Sequence, residues 1–151
     1  MKSLNFNSSL YAINYISRYK ELCKEFNDLE NALRGNNTDL YDRLISKNGY
    51  NFKYFKSERF YRINEKIGDY KFNFQLTLHG GLVEAMIDIQ RQGEYLTPYG
   101  RFDFIPEMMG YEFDRKLFNL PKYTSESDLK MILTELFSIY EDLKLEIQKL
   151  E

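Results

Sequence analysis

A single cysteine, Cys23, and a single histidine, His79, stand in 151 residues, and tryptophan is absent. One cysteine excludes an intramolecular disulfide, a redox pair and a cysteine-based zinc site within one chain, a pattern that fits a reducing compartment. One histidine leaves acid–base chemistry with a lone imidazole, and no motif places a nucleophile or an orienting carboxylate beside it. Nowhere do about 18 apolar residues run together, and the N-terminal MKSLNFNSSLYAINYISRYK lacks an apolar core with a small-residue cleavage site. The chain therefore reads as cytoplasmic, without a membrane span. Repeats and low-complexity linkers are missing too, so one domain spanning 1–151 is expected, long enough to bury a core without staples. A net charge of −2 argues against a protein that coats nucleic acid.

What is present is strongest in YKFNFQLTLHGGLVEAMIDIQ, residues 70–90. Phe72, Phe74, Leu76 and Leu78 alternate with polar residues, and so do Val83, Ala85, Ile87 and Ile89 after the glycines. A two-residue Gly80-Gly81 turn sets Leu78 opposite Val83, Leu76 opposite Ala85, Phe74 opposite Ile87 and Phe72 opposite Ile89. A three-residue turn would set Leu76 against Glu84 and mix the faces, so the pattern predicts one register. Tyr61 and Ile63 fall in phase to lie beside Leu76 and Phe74 if Gly68-Asp69 turns the chain, which adds a further antiparallel strand.

Around this hairpin the expected layout is α+β: an antiparallel sheet of three to five strands covered by long N-terminal and C-terminal helices. Ser8 or Ser9 can cap a first helix reaching about Leu33, its stripe being Tyr15, Tyr19, Leu22, Phe26, Leu29 and Leu33. Cys23 beside that stripe reads as a buried small hydrophobe. Thr38 can cap a second helix to about Lys47, with Leu40, Leu44 and Ile45 inward. Residues 95–109 read as loops around a short strand at Arg101 to Ile105, and a brief strand is expected near Lys116 to Leu120. After Thr124-Ser125-Glu126-Ser127-Asp128, the four-three repeat of Leu129, Leu133, Leu136, Tyr140, Leu143, Ile147 and Leu150 predicts the last helix. Its stripe can pack on the sheet, on the first helix or on a second copy; packing within the chain is favoured, giving a monomer or a weak dimer.

Reaction motifs are lacking. Gly80-Gly81 has neither a Lys-Ser/Thr tail nor a helix-opening glycine pattern for phosphate. Carboxylate pairs such as Asp103 with Glu107, or Glu112 with Asp114, follow no ligand spacing. No catalytic residue, metal or cofactor is expected, and the chain does not read as an enzyme; alanine at His79, Cys23 or Asp103 is expected to leave activity largely unchanged.

Charge is segregated instead. Residues 47–71 hold seven Lys/Arg (Lys47, Lys53, Lys56, Arg59, Arg62, Lys66, Lys71) against three acids, a net of +4. Residues 84–115 hold seven acids against three arginines, a net of −4. Either the two segments lie side by side and neutralise each other, or they form a basic aromatic face and an acidic aromatic one. Tyr, Phe and Met on a polar-rimmed surface favour a protein interface.

An antiparallel sheet, an acidic aromatic loop region and a terminal helix after LFNLPKYTSESDLKMILTELFSIYEDLK make the chain similar to immunity proteins of bacterial polymorphic toxin and contact-dependent growth inhibition systems. The resemblance lies in layout and composition across most of the chain. It implies a non-catalytic toxin inhibitor whose partner is a cognate protein toxin, often a nuclease, bound over its active site, with acidic groups steering encounter with a basic cleft. The expected contact residues lie between Glu94 and Asp114: Tyr95, Tyr99, Phe102 and Tyr111 as anchors, and Asp103, Glu107, Glu112 and Asp114 as steering charges. The alternative reading is a nucleic-acid-binding or regulatory module in which Lys53, Lys56, Arg59 and Arg62 act with the interleaved aromatics of 47–71.

Overall fold

The computed structural model describes residues 2–97, 100–112, 114 and 120–150. Five strands form one antiparallel meander in the order β1-β2-β3-β4-β5: β1 Lys53–Phe55, β2 Phe60–Ile67, β3 Tyr70–His79, β4 Leu82–Arg91 and β5 Glu94–Tyr95. Three of its hairpins turn on two residues. Gly80 and Gly81 take φ of 60° and 84°, the left-handed pair that suits the twist of the flanking strands, and the register is Leu78 with Val83, Leu76 with Ala85, Phe74 with Ile87 and Phe72 with Ile89. Gly68-Asp69 places Tyr61 opposite Leu76 and Ile63 opposite Phe74. Gln92-Gly93 turns β4 into β5. The alternation seen in the sequence thus becomes one buried face, with every inward residue of β3 and β4 at 2% exposure or less. At roughly 1.5–3 kcal/mol for each large apolar side chain removed from water, this face is a major source of stability.

Helix α5, Glu126–Gln148, covers that face. Ser125 caps it by accepting from the Asp128 amide at 3.1 Å, while the Asp128 carboxylate accepts from the Thr124 amide and hydroxyl. The Tyr140 ring stacks on Phe74 at 4.5 Å. Ile132, Phe137, Ile139 and Lys144 are buried beside the expected stripe, because α5 is also flanked by α1 (Lys2–Ala12), α2 (Tyr15–Glu25) and α3 (Thr38–Lys47). Helix α3 has the expected bounds and buried side, although Asn37, not Thr38, supplies the capping oxygen.

The expected long N-terminal helix is corrected. Asn14 sits in the left-handed region at φ 58° and divides α1 from α2, and α2 ends at Glu25. Residues 26–35 are used instead as backbone partners. The Phe26 carbonyl accepts from the Lys122 amide, the Leu33 amide donates to the Tyr123 carbonyl, and the Gly35 carbonyl accepts from Gly80. Leu29 and Leu33 are consequently exposed at 57% and 39%. Tyr15 and Tyr19 remain in the core and reach the sheet through Phe102, which lies between them and Phe74.

The outer edge of β4 is closed along its length. Leu96 donates to Ile89, Ile87 to Gly100, Phe102 to Ala85, Val83 to Pro121 and Tyr123 to Gly81, each backbone to backbone. The strand expected at Arg101 to Ile105 is corrected to a single bridge, Met86 with Arg101, followed by the short helix α4, Ile105–Met108. Pro106 in its first turn and Gly110 at φ 89° after it bracket that helix. The strand expected near Lys116 lies outside the described residues.

Candidate partner-binding surface

The stretch from Glu94 to Asp114 divides between surface and core. Tyr95, on β5 opposite Gln90, is 61% exposed, whereas Leu96 and Thr97 behind it are buried and the Thr97 hydroxyl accepts from the Ile89 amide. Tyr99 lies outside the described residues. Phe102 is a correction to the expected anchors: its ring is fully buried among Tyr15, Tyr19 and Phe74, and its carbonyl accepts from the Tyr15 hydroxyl at 2.6 Å. Asp103 is a correction to the expected steering charges. It is 5% exposed, and the Arg101 guanidinium donates to both its oxygens at 3.1 and 2.9 Å. The same guanidinium pairs with Glu84 at 3.0 Å and lies over the Phe104 ring. A carboxylate held by a fork in this way is neutralised locally and steers nothing at a distance.

From Glu107 in α4 onward the chain returns to the surface in places. Glu107, Tyr111, Glu112 and Asp114 are exposed, and the Tyr111 ring lies 6.4 Å from that of Tyr11, itself 55% exposed. The Tyr111 hydroxyl holds the Tyr11 phenol above its ordinary pKa. Tyr11 was absent from the sequence-based set for a geometric reason. On one continuous helix it would continue the Tyr15–Tyr19–Leu22 stripe into the core, and the left-handed turn at Asn14 rotates it outward. The surface group is therefore Tyr11, Glu107, Tyr111, Glu112 and Asp114, with Tyr95 placed separately on β5.

The two segments of opposite charge meet in one sheet. Glu84 and Asp103 belong to Arg101, and Glu65, from the basic segment, turns inward to the Lys144 ammonium at 2.6 Å and the Tyr140 hydroxyl at 2.6 Å. Asp88 senses Arg62 of the basic segment, and its carboxyl is raised above the ordinary value chiefly by burial.

Cys23 is 1% exposed, and desolvation raises its thiol to about 12, against which the Tyr19 hydrogen bond and the Lys122 charge pull weakly. His79 is an exposed residue at the hairpin tip. Among the described residues no group of three or more His, Cys, Asp or Glu could hold a metal ion, and no helix is long and apolar enough to cross a membrane. Comparison with protein-family models, curated proteins and solved structures finds no match to this chain.

Proposed function

We propose that this chain is a non-catalytic protein-binding protein, an immunity protein that neutralises a cognate bacterial toxin by covering its active site. The observation that supports the reading is the exposed Tyr11–Tyr111 pair beside Glu107, Glu112 and Asp114. Tyrosine gives large contact area at low entropic cost and is enriched at the centre of protein interfaces. Carboxylates around it attract a basic cleft, such as the substrate channel of a nuclease, and raise the association rate.

The test is rescue. A partner captured from the source cells should be toxic when produced alone and harmless when this chain is produced with it. Tyr111→Ala should weaken that complex by about 2 kcal/mol, the size of an anchor truncated at an interface centre. Glu112→Lys with Asp114→Lys should slow association by a factor that shrinks as salt is added, since screening acts first on long-range attraction. A toxic partner neutralised equally well by all these variants would remove the assignment to this surface.

A further inference from the structure

The sheet has a second face, turned away from α5 and separate from the tyrosine surface. The strand register arranges its side chains in rows. Lys66, Lys71, Gln90 and Tyr95 form one row, Asn64, Asn73 and Asp88 the next, then Lys53, Arg62, Gln75 and Met86, and then Phe55, Phe60, Thr77 and Glu84.

Three features of this face call for a ligand. First, Lys66 and Lys71 are directly opposite each other across β2 and β3, both exposed, and neither has a carboxylate partner among the described residues. Like charges at such positions destabilise a sheet, and a bound anion removes the repulsion. The two lysines and Gln90 are shared by adjoining depressions of about 330 and 240 Å³. Second, Asn73 lines the larger depression, and its side-chain oxygen is turned away from solvent with no hydrogen-bond partner, so that a rotation of the amide would bring an unpaired acceptor to a ligand in the depression. A buried acceptor left unpaired costs free energy that a donor on a ligand would recover. Third, Phe55 and Phe60 stack at 4.6 Å, with the Arg62 guanidinium over both rings at 4.8 and 5.2 Å and the Lys53 ammonium over Phe55 at 5.1 Å. This aromatic and cationic layer is six residues along β2 from Lys66, about 20 Å at the rise of a strand.

We propose that this face binds single-stranded nucleic acid. Lys66 and Lys71 meet the phosphate backbone at one end of the face and Lys53 meets it further along, the Phe55–Phe60–Arg62 layer stacks a base, and Asn73 accepts a hydrogen bond from a base amino group or a sugar hydroxyl. Cations, amides and rings along one line match the alternation of charge, polar edge and flat ring in such a strand. Of the acids on and beside this face two have cations of their own, Glu84 with Arg101 and Glu65 with Lys144, which leaves half-buried Asp88 and Asp69 of the β2–β3 turn against Lys53, Arg62, Lys66 and Lys71. The inference stands independently of the protein-partner reading, since none of its residues belongs to the Tyr11–Tyr111 surface.

The experiment is fluorescence anisotropy of the intact protein with labelled single-stranded DNA and RNA of about 12 nucleotides, within the roughly 4–16 that single-domain platforms cover. Binding is expected at low salt. Lys66→Glu with Lys71→Glu should weaken it by at least about tenfold and reduce the slope of log K against log salt by about 1.4, near 0.7 for each phosphate left without its lysine. Phe60→Ala should weaken it by about tenfold with the slope unchanged. Lys66→Glu alone should also weaken binding, with the slope reduced by about 0.7, yet melt no lower than the parent, because it exchanges a like-charge pair for an opposite one, and this separates lost binding from lost folding. Failure of both oligonucleotides to bind at low salt would overturn the proposal, as would unchanged affinity in the lysine variants. Equal competition by polyglutamate would also overturn it, by showing a face for acidic polypeptide instead.

Discussion

Single residues carry the clearest energetic consequences. Burial holds the Asp88 carboxyl above its ordinary 3.8, with Arg62 pulling the other way. The folded state therefore keeps its proton to a higher pH than the unfolded chain. The associated cost is absent below the ordinary value, grows as pH rises past it, and is complete above the folded pKa. Asp88→Asn should raise the melting temperature at neutral pH and match the parent below pH 3.8. An equal shift at both pH values would assign the effect to packing. Lys144 is the converse case. Its side chain is 6% exposed, and the ammonium pairs with Glu65 and Glu141 and lies 4.4 Å from the Tyr140 ring centre. Lys144→Met should cost about 2 kcal/mol in denaturant unfolding, below the roughly 3–5 of a fully buried pair because Glu141 is half in water. Asp103→Ala, which the sequence presents as harmless, should also cost about 2 kcal/mol, since it strips the Arg101 fork of its bidentate partner. Nothing in the local pattern Arg-Phe-Asp-Phe distinguishes a solvated acid from one folded under by its neighbour. The burial of Cys23, by contrast, was legible from its place next to a helical stripe.

Elements were legible where one period fixed both the type and the face. Alternation in β3 and β4, with two glycines between them, left a single register, and Ser125 with Asp128 announced the start of α5. The N-terminal helix was less legible, because a 3.6-residue period gives the buried side without saying whether the helix is continuous. Its end at Glu25 serves distant partners: the backbone of 26–35 is needed at the hairpin tip and at 122–123. Gly81 lies at that junction with φ 84°, and a β-carbon there would collide with Ala32. Gly93 has φ 78° and open space around it. Gly93→Ala should therefore lose only the left-handed strain of about 1–2 kcal/mol, while Gly81→Ala should lose clearly more. Equal losses in denaturant unfolding would show that the packing of tip against loop contributes nothing.

For the whole molecule, the buried side chains of the sheet, α1, α2, α3 and α5 belong to one cluster. Far-ultraviolet dichroism and tyrosine fluorescence should accordingly report one coincident thermal transition; an earlier loss of helix signal alone would show that α1 and α2 dock onto a sheet that stands without them. The candidate surface was only partly legible, for a reason that belongs to this scale. Aromatic and acidic residues in 94–114 were visible as a composition, but the same segment both closes the edge of β4 and reaches solvent, so Phe102 and Asp103 went inward and Tyr111 outward. That closing of β4 also has a consequence in time. Synthesis runs from the N-terminus, and the hairpin emerges before Glu94, Tyr95, Leu96, Gly100, Phe102, Pro121 and Tyr123, whose backbone covers its edge. Until residue 123 has left the ribosome, the nascent chain presents a long apolar strand with an open edge, the feature most prone to pair with a neighbouring chain. Truncation before that point, or slow translation through 91–123, should send the product into aggregates, while the completed chain, its edge sealed, should stay in solution.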